Sequence, residues 1–133
     1  MVLCSSFAAI VYRESENYKE LYTEEDWSDV SVCLPYMKSK NVAEKAAWDY
    51  LNSLPESTRF ELISLNPSIC LGPTLTGRDF ASGLSIKKVM SGKVPGTGKF
   101  MLPLVDVRDA AEAHLKAILG PSPLLSQRII IHH

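Results

Sequence analysis

Cysteine is scarce in this chain, long apolar runs are missing, neither charge dominates, and the glycines do not cluster. Each shortage removes a class of protein. Cys4, Cys33 and Cys70 are odd in number and share no CxxC spacing, which suggests neither a disulfide framework nor a zinc site. Reduced thiols in the cytoplasm or an organelle matrix fit that usage. No apolar stretch approaches the ~20 residues of a membrane span, and no signal-peptide pattern precedes the first charges. A net charge of −1 without a basic run speaks against nucleic acid and anionic membranes as partners. The glycines fall at 72, 77, 83, 92, 96, 98 and 120, and none makes G-x-G-x-x-G or G-x-x-G-x-x-G. "GPTLTGRD" has the glycine spacing of a phosphate-binding loop but ends in Arg-Asp instead of Lys-Ser/Thr.

What is present is globular. Hydrophobic residues make up 46% of 133 and charged residues 22%, which places the chain as one domain, or part of one, with enough apolar surface for a core. "VLCSS" reads as a buried strand running into a loop. Residues 13–34, rich in Glu, Asp, Ser and Tyr, read as an exposed loop with one short helical turn. From Tyr36 to Leu54, Ala43, Ala46, Ala47, Tyr50, Leu51 and Leu54 recur at helical spacing until Pro55 stops the run. "FELISL" (Phe60–Leu65) is a strand broken by Asn66-Pro67, and "SICLGP" is extended as far as the Gly72-Pro73 turn. "LSIKKVMSG" predicts a short helix closed by Gly92, "KVPGTGKF" a loop, and "FMLPLVDV" an extended segment. Asp109 with Glu112 approximates a capping box for a helix 109–119. Pro121 and Pro123 end that helix, and "RIIIH" is a last strand. Strands alternating with helices predict an α/β fold with a largely parallel sheet.

One pair of residues suggests chemistry. In "PYMKSK" at the head of the long helix, Tyr36 and Lys40 stand four apart and share a face. An unperturbed tyrosine titrates near ~10, too high for proton exchange at neutral pH, and a neighbouring ammonium favours the phenolate. Tyrosine exchanging a proton with lysine tuning it is a workable acid–base device. Y-x-x-x-K alone is common, so the surrounding motifs must carry the case. His114 lies within a helix and has no other His or Cys at ligand spacing, which reads as an ordinary histidine; His132 and His133 read as the stub of a longer sequence. Asp106, Arg108 and Asp109 read as capping a helix and pinning a loop. No metal site is expected.

Those motifs come in order. Ser5-Ser6 follows the first strand, "WSD" sits in the loop, and then come "YMKSKNVAEKAAWDYL", "FELISLNPSICLGP" and "LVDVRDAAEAHLKAI". This series resembles the extended short-chain dehydrogenase/reductase family, and within it the dihydroflavonol reductase and cinnamoyl-CoA reductase branch, over nearly the whole chain. The resemblance implies a catalytic Ser6, Tyr36 and Lys40, with Ser6 preferred over its neighbour Ser5. It also implies hydride transfer between a nicotinamide and a carbonyl carbon (ketone, aldehyde or CoA thioester). Tyr36 would protonate the alkoxide, Lys40 would hold the nicotinamide ribose, and Ser6 would orient the carbonyl oxygen. Pro67, Ser68 and Ile69 would flank the nicotinamide, and Ser82 would lie toward the phosphates. The cofactor expected is NADP, with NAD as the alternative. Nucleotide-sugar epimerases and dehydratases share the Tyr/Lys pair, but the "WSD" and "AEKAAW" wording favours the reductases.

The missing glycine turn sets this chain apart from that family, whose pyrophosphate rests on such a turn after the first strand. The resemblance makes residue 1 the start of the family's fifth strand, with roughly 100 or more residues preceding that point in βαβ units of ~30; the family also continues past "RIII". The fold expected is therefore a partial Rossmann-like parallel sheet, the C-terminal half, with part of a smaller substrate domain. Residues 1–73 would carry Ser/Tyr/Lys, and 74–133 would hold part of the substrate domain plus helix 109–119. Two readings follow. One is the catalytic part of an NAD(P)-dependent reductase acting on a small-molecule carbonyl. The other is a truncated, non-enzymatic subunit whose exposed sheet edge is covered by a partner chain.

Overall fold

A computed structural model describes residues 1–96, 102–120 and 126–133. In chain order these form β1 (Val2–Cys4), α1 (Pro35–Ser53), β2 (Ile63–Pro67), β3 (Ile69–Leu71), α2 (Ala81–Met90), β4 (Leu104–Asp106), α3 (Val107–Leu119) and β5 (Gln127–Ile131), with short 3₁₀ turns at Phe7–Ala9, Ser15–Asn17 and Glu56–Thr58. One sheet has the order β1-β2-β5 and a second pairs β3 with β4; every pairing is parallel. The α/β class with parallel sheets is what the alternating pattern predicts. β5 lies beyond residue 73, yet it pairs with β2 in the sheet that holds β1, so the two sheets do not divide at that residue.

β2 is central, and all five of its residues are buried, as expected of a parallel strand covered on both faces. Leu62, Ile63 and Leu65 form the core there with Ala8–Ile10, Leu51, Val105 and Ala110. Truncating Leu62 or Leu65 to alanine costs about 2–5 kcal/mol.

Asn66-Pro67 does not break the strand as the sequence suggests; β2 runs through it, and Pro67 pairs with Ile131. The reason is directional. Ile63 donates its N–H to Met1 and Leu65 accepts from Ser5, so these alternate residues face β1, while Ser68 donates to Ile131 on the β5 side. Pro67 falls in the β1-facing set two residues past the point where β1 stops at Cys4. Its missing N–H has no ladder partner to lose.

α1 begins with Pro35 at its first position, where the absent N–H costs nothing, and ends two residues before Pro55. Its buried face is Asn41, Glu44 and Leu51, so the inward stripe is polar in its first half. α3 starts earlier than the capping-box reading placed it: Asp106 is the N-cap and accepts from the Arg108 N–H at 2.8 Å, with Asp109 inside the first turn. α2 closes through Ser91 and Gly92, the latter at φ 68°. The loop predicted from "KVPGTGKF" and the start of "FMLPLVDV" lie partly outside the described residues, and Pro121 and Pro123 lie wholly outside them.

Residues 13–34 are more firmly held than their composition implies. Asp26 and Ser28 are buried. Ser28 donates its N–H to Ala9 and its hydroxyl to Ala8, and accepts from the Tyr12 N–H at 2.8 Å. Asp26 accepts from Arg13 at 2.7 Å, from Lys19, and from the Thr23 N–H at 3.0 Å. The Lys19 and Thr23 bonds hold its carboxyl below the usual range. Local polar bonding, which composition does not reveal, orders this segment.

Candidate active site

The carboxyl end of β1 presents two serines with different fates. Ser5 extends the ladder through its N–H to Leu65 at 2.8 Å, and its buried hydroxyl donates to Glu44 at 2.6 Å. Ser6 is half-buried and caps the turn Phe7–Ala9, its Oγ accepting from the Ala8 N–H at 3.1 Å. Among the described residues nothing accepts the Ser6 hydroxyl proton. Ser5 is committed to the interior, whereas Ser6 retains a donor.

Tyr36 occupies the first turn of α1 and is 61% exposed. One turn further on, the Lys40 ammonium donates to the Cys4 carbonyl at 3.4 Å. The strand end that carries Ser6 and the helix start that carries Tyr36 are therefore joined by Lys40 itself. Tyr12 lies near Tyr36; burial first, then Cys33, Tyr18 and Tyr36, push its phenol above the ordinary range.

Pro67, Ser68 and Ile69 lie at the carboxyl end of β2 and the start of β3, the side of a parallel sheet on which ligands collect. The Ser68 hydroxyl is buried without a partner among the described residues, so this position has an unused donor. Ser82 stands apart from the others, in the first turn of α2, which packs on β3. Cys4, Cys33 and Cys70 are free; Cys4 is exposed at the end of β1. Burial, then the nearby Cys4, raises the Cys70 thiol. The open concavity lined by Thr23–Glu25 and Ser126–Ile129 includes none of these candidate residues.

The sequence reading missed the polar centre beneath the site. Glu44 is fully buried and accepts from Ser5, from the Asn66 amide at 2.8 Å and from Arg128 Nε at 2.7 Å. Burial alone would raise its pKa, but hydrogen bonds from Arg128, Ser5 and Asn66 outweigh it and hold the carboxyl below the usual glutamate range. Arg128 also donates to the Glu24 and Asp26 carbonyls at 2.5 and 2.6 Å and stacks 3.6 Å over the Trp27 ring. Asn41, also fully buried, donates to the Ala9 and Ser28 carbonyls at 3.2 and 3.0 Å. The available signal was spacing: Glu44 follows Tyr36 and Lys40 at i+8 and i+4 on one helical stripe.

The chain as a whole resembles proteins of known structure and activity. The chain is 32% identical to the NADPH-dependent methylglyoxal reductase Gre2 of Saccharomyces cerevisiae, over 98% of this chain and 42% of that protein. It is 31% identical to cinnamoyl-CoA reductase 1 of Arabidopsis thaliana, over 92% of this chain and 36% of the relative. The crystal structure of Gre2 from Candida albicans in complex with NADPH superposes with a TM-score of 0.79 at 31% identity, over 98% of this chain and 42% of that one. The chain belongs to the extended short-chain dehydrogenase/reductase family. Its place is in the dihydroflavonol and cinnamoyl-CoA reductase-like branch of these reductases, where it matches the C-terminal part of the fold. Vestitone reductase from alfalfa shares that fold with a TM-score of 0.73 at 23% identity. No protein-family model matches the chain. The chain spans about two-fifths of the length of the curated relatives it matches.

Proposed function

We propose that this chain supplies the proton-transfer side of an NADPH-dependent carbonyl reductase. The observation that carries this reading is the Lys40 ammonium at the Cys4 carbonyl, which fixes the start of α1 against the strand end bearing Ser6. The similarity to Gre2 and cinnamoyl-CoA reductase supports an aldehyde, ketone or CoA-thioester carbonyl as the group reduced.

The residues fit one end of the cofactor. Pro67, Ser68 with its unpartnered hydroxyl, and Ile69 suit the nicotinamide, and Lys40 suits its ribose. No glycine-rich turn among the seven glycines suits the pyrophosphate; Ser82, in the first turn of α2, is the remaining candidate on that side. When bound, the nicotinamide supplies the hydride. Ser6 donates its free hydroxyl proton in a hydrogen bond to the carbonyl oxygen and orients it. Tyr36, exposed toward the same end of the sheet, delivers a proton to the alkoxide as charge builds there. Lys40 stands one turn after Tyr36 on the same face of α1, beside the strand end that bears Ser6.

The test is NADPH fluorescence on titration with the purified chain, beside Tyr36→Phe and Lys40→Ala, followed by NADPH oxidation with methylglyoxal. Saturable binding that weakens in Lys40→Ala, with turnover that falls ~10²–10⁴-fold in Tyr36→Phe, supports the reading. Absence of binding and turnover overturns it for this chain alone. A second reading rests on β1, which has β2 on one side and no described strand on the other. In it the chain is a structural or interaction subunit, and a partner chain bearing the dinucleotide-binding unit covers that edge.

A further inference from the structure

We propose that Glu44 is the positioning residue that sets the register of Tyr36 and Lys40 against Ser6, an inference that rests on the reductase reading. Two consecutive turns of α1 hold the end of β1. Lys40 donates to the Cys4 carbonyl, and one turn later Glu44 accepts the Ser5 hydroxyl. The same carboxylate oxygen that takes Ser5 also takes the Asn66 amide, whose Nδ2 reaches the Ser6 carbonyl at 3.1 Å. The Ser6 peptide is thus held through Asn66 by the helix that carries Tyr36. The second carboxylate oxygen takes Arg128 from β5, and Arg128 is fixed in turn by the carbonyls of Glu24 and Asp26 and by the Trp27 ring. One buried side chain therefore ties α1 to the end of β1, to β2 through Asn66 and to β5 through Arg128.

A helix packed only by apolar contacts can slide or roll by fractions of an ångström at little cost. Apolar packing on this face of α1 is thin, because Asn41 and Glu44 occupy it where Tyr36 and Lys40 must be aligned and Leu51 lies two turns away. Directional bonds replace it. Displacement of about 1 Å between a reacting group and its partner lowers turnover by about 10²-fold, so loss of this restraint reaches the chemistry without Glu44 touching substrate. A buried ion pair is by itself weak evidence of a stabilising role, which is why position, not stability, is the property to measure.

The experiment compares the wild-type chain with Glu44→Gln, Ser5→Ala and Leu51→Ala. Glutamine keeps an acceptor for Ser5 but loses the charge that Arg128 needs. Ser5→Ala removes one hydroxyl and serves where Glu44→Gln fails to fold. Leu51→Ala is the control, destabilising the same helix without touching the network. The readouts are the backbone amide NMR signals of Ser6, Ala8 and Lys40, and kcat against KM for NADPH. Positioning predicts that these amide signals move in Glu44→Gln and Ser5→Ala and stay in place in Leu51→Ala, while kcat falls about tenfold and KM stays within about twofold. Signals that move equally in all three variants, or a folded Glu44→Gln with unchanged signals or unchanged kcat, overturn it. Should the wild-type chain turn over no carbonyl, the reductase reading fails by itself and the amide signals decide the positioning of α1.

Discussion

Glu44 behaves as a residue whose value to the fold depends on its charge. Its folded pKa is lowered because three donors outweigh its burial, so the unfolded chain takes up its proton at a higher pH than the folded one. The stabilisation it brings is complete above the unfolded glutamate value of about 4.3 and is lost as pH falls through the folded value. Thermal unfolding followed from pH 7 down to pH 3 should therefore show a steeper acid loss in wild type than in Glu44→Gln; parallel curves would remove Glu44 as the source. Glu44→Ala, which strands the buried Arg128 guanidinium, should cost about 3–5 kcal/mol in denaturant unfolding. At this scale the sequence pointed to residues at the end of β1 and the start of α1 and hid the buried ones beneath them. Tyr36 and Lys40 could be singled out by their spacing, and Ser6 by the family resemblance. Glu44, Asn66 and Arg128 could not, because a charged or amide side chain in a helix or strand ordinarily faces water, and only the folded sheet brings residues 5, 44, 66 and 128 to one point.

Among the elements, the turn from β3 into Pro73 is the clearest case of backbone dictating residue type. Gly72 sits at φ 139°, and a Cβ there would lie 2.8 Å from Val107 Cγ1 at the start of α3. Gly72→Ala should lower unfolding free energy by about 1–3 kcal/mol through backbone strain alone, with the clash adding to it. Chemical denaturation would show the change as a shifted midpoint at constant slope; an unmoved midpoint would mean that β3 and α3 part easily. Gly72-Pro73 was legible as a stop because glycine and proline act locally. Asn66-Pro67 was misread for the converse reason: whether a proline interrupts a strand depends on which neighbour its missing N–H would face, and that is a property of the sheet. The start of α3 shows the same limit. Asp106 and Asp109 are both plausible caps, and the choice fell to Asp106 because β4 delivers the chain into the helix there.

For the whole molecule, the exposed surface bears on how the chain exists in solution. Among the described residues β1 is an edge strand, and apolar side chains stand open on all three helices, among them Val42 and Tyr50 on α1, Val89 and Met90 on α2, and Leu115, Ile118 and Leu119 on α3. Because Met1 and Ser5 bond to β2, the alternation along β1 points the backbone groups of Val2 and Cys4 away from it. Lys40 occupies the Cys4 carbonyl, while the Val2 N–H is left to pair with another strand. The purified chain should then associate as its concentration rises, with sedimentation velocity showing species heavier than 14.7 kDa. Val2→Pro removes that outward N–H and leaves the β1–β2 ladder intact, so it should return the chain toward monomer while far-UV circular dichroism stays the same. An unchanged distribution in Val2→Pro would move the contact from the strand edge to the open faces of α1 and α3, where Tyr50→Lys and Ile118→Lys would be the variants to read. A wild type that stays monomeric at every concentration would mean that the β1 edge attracts no second strand, and the subunit reading would lose the surface on which it depends.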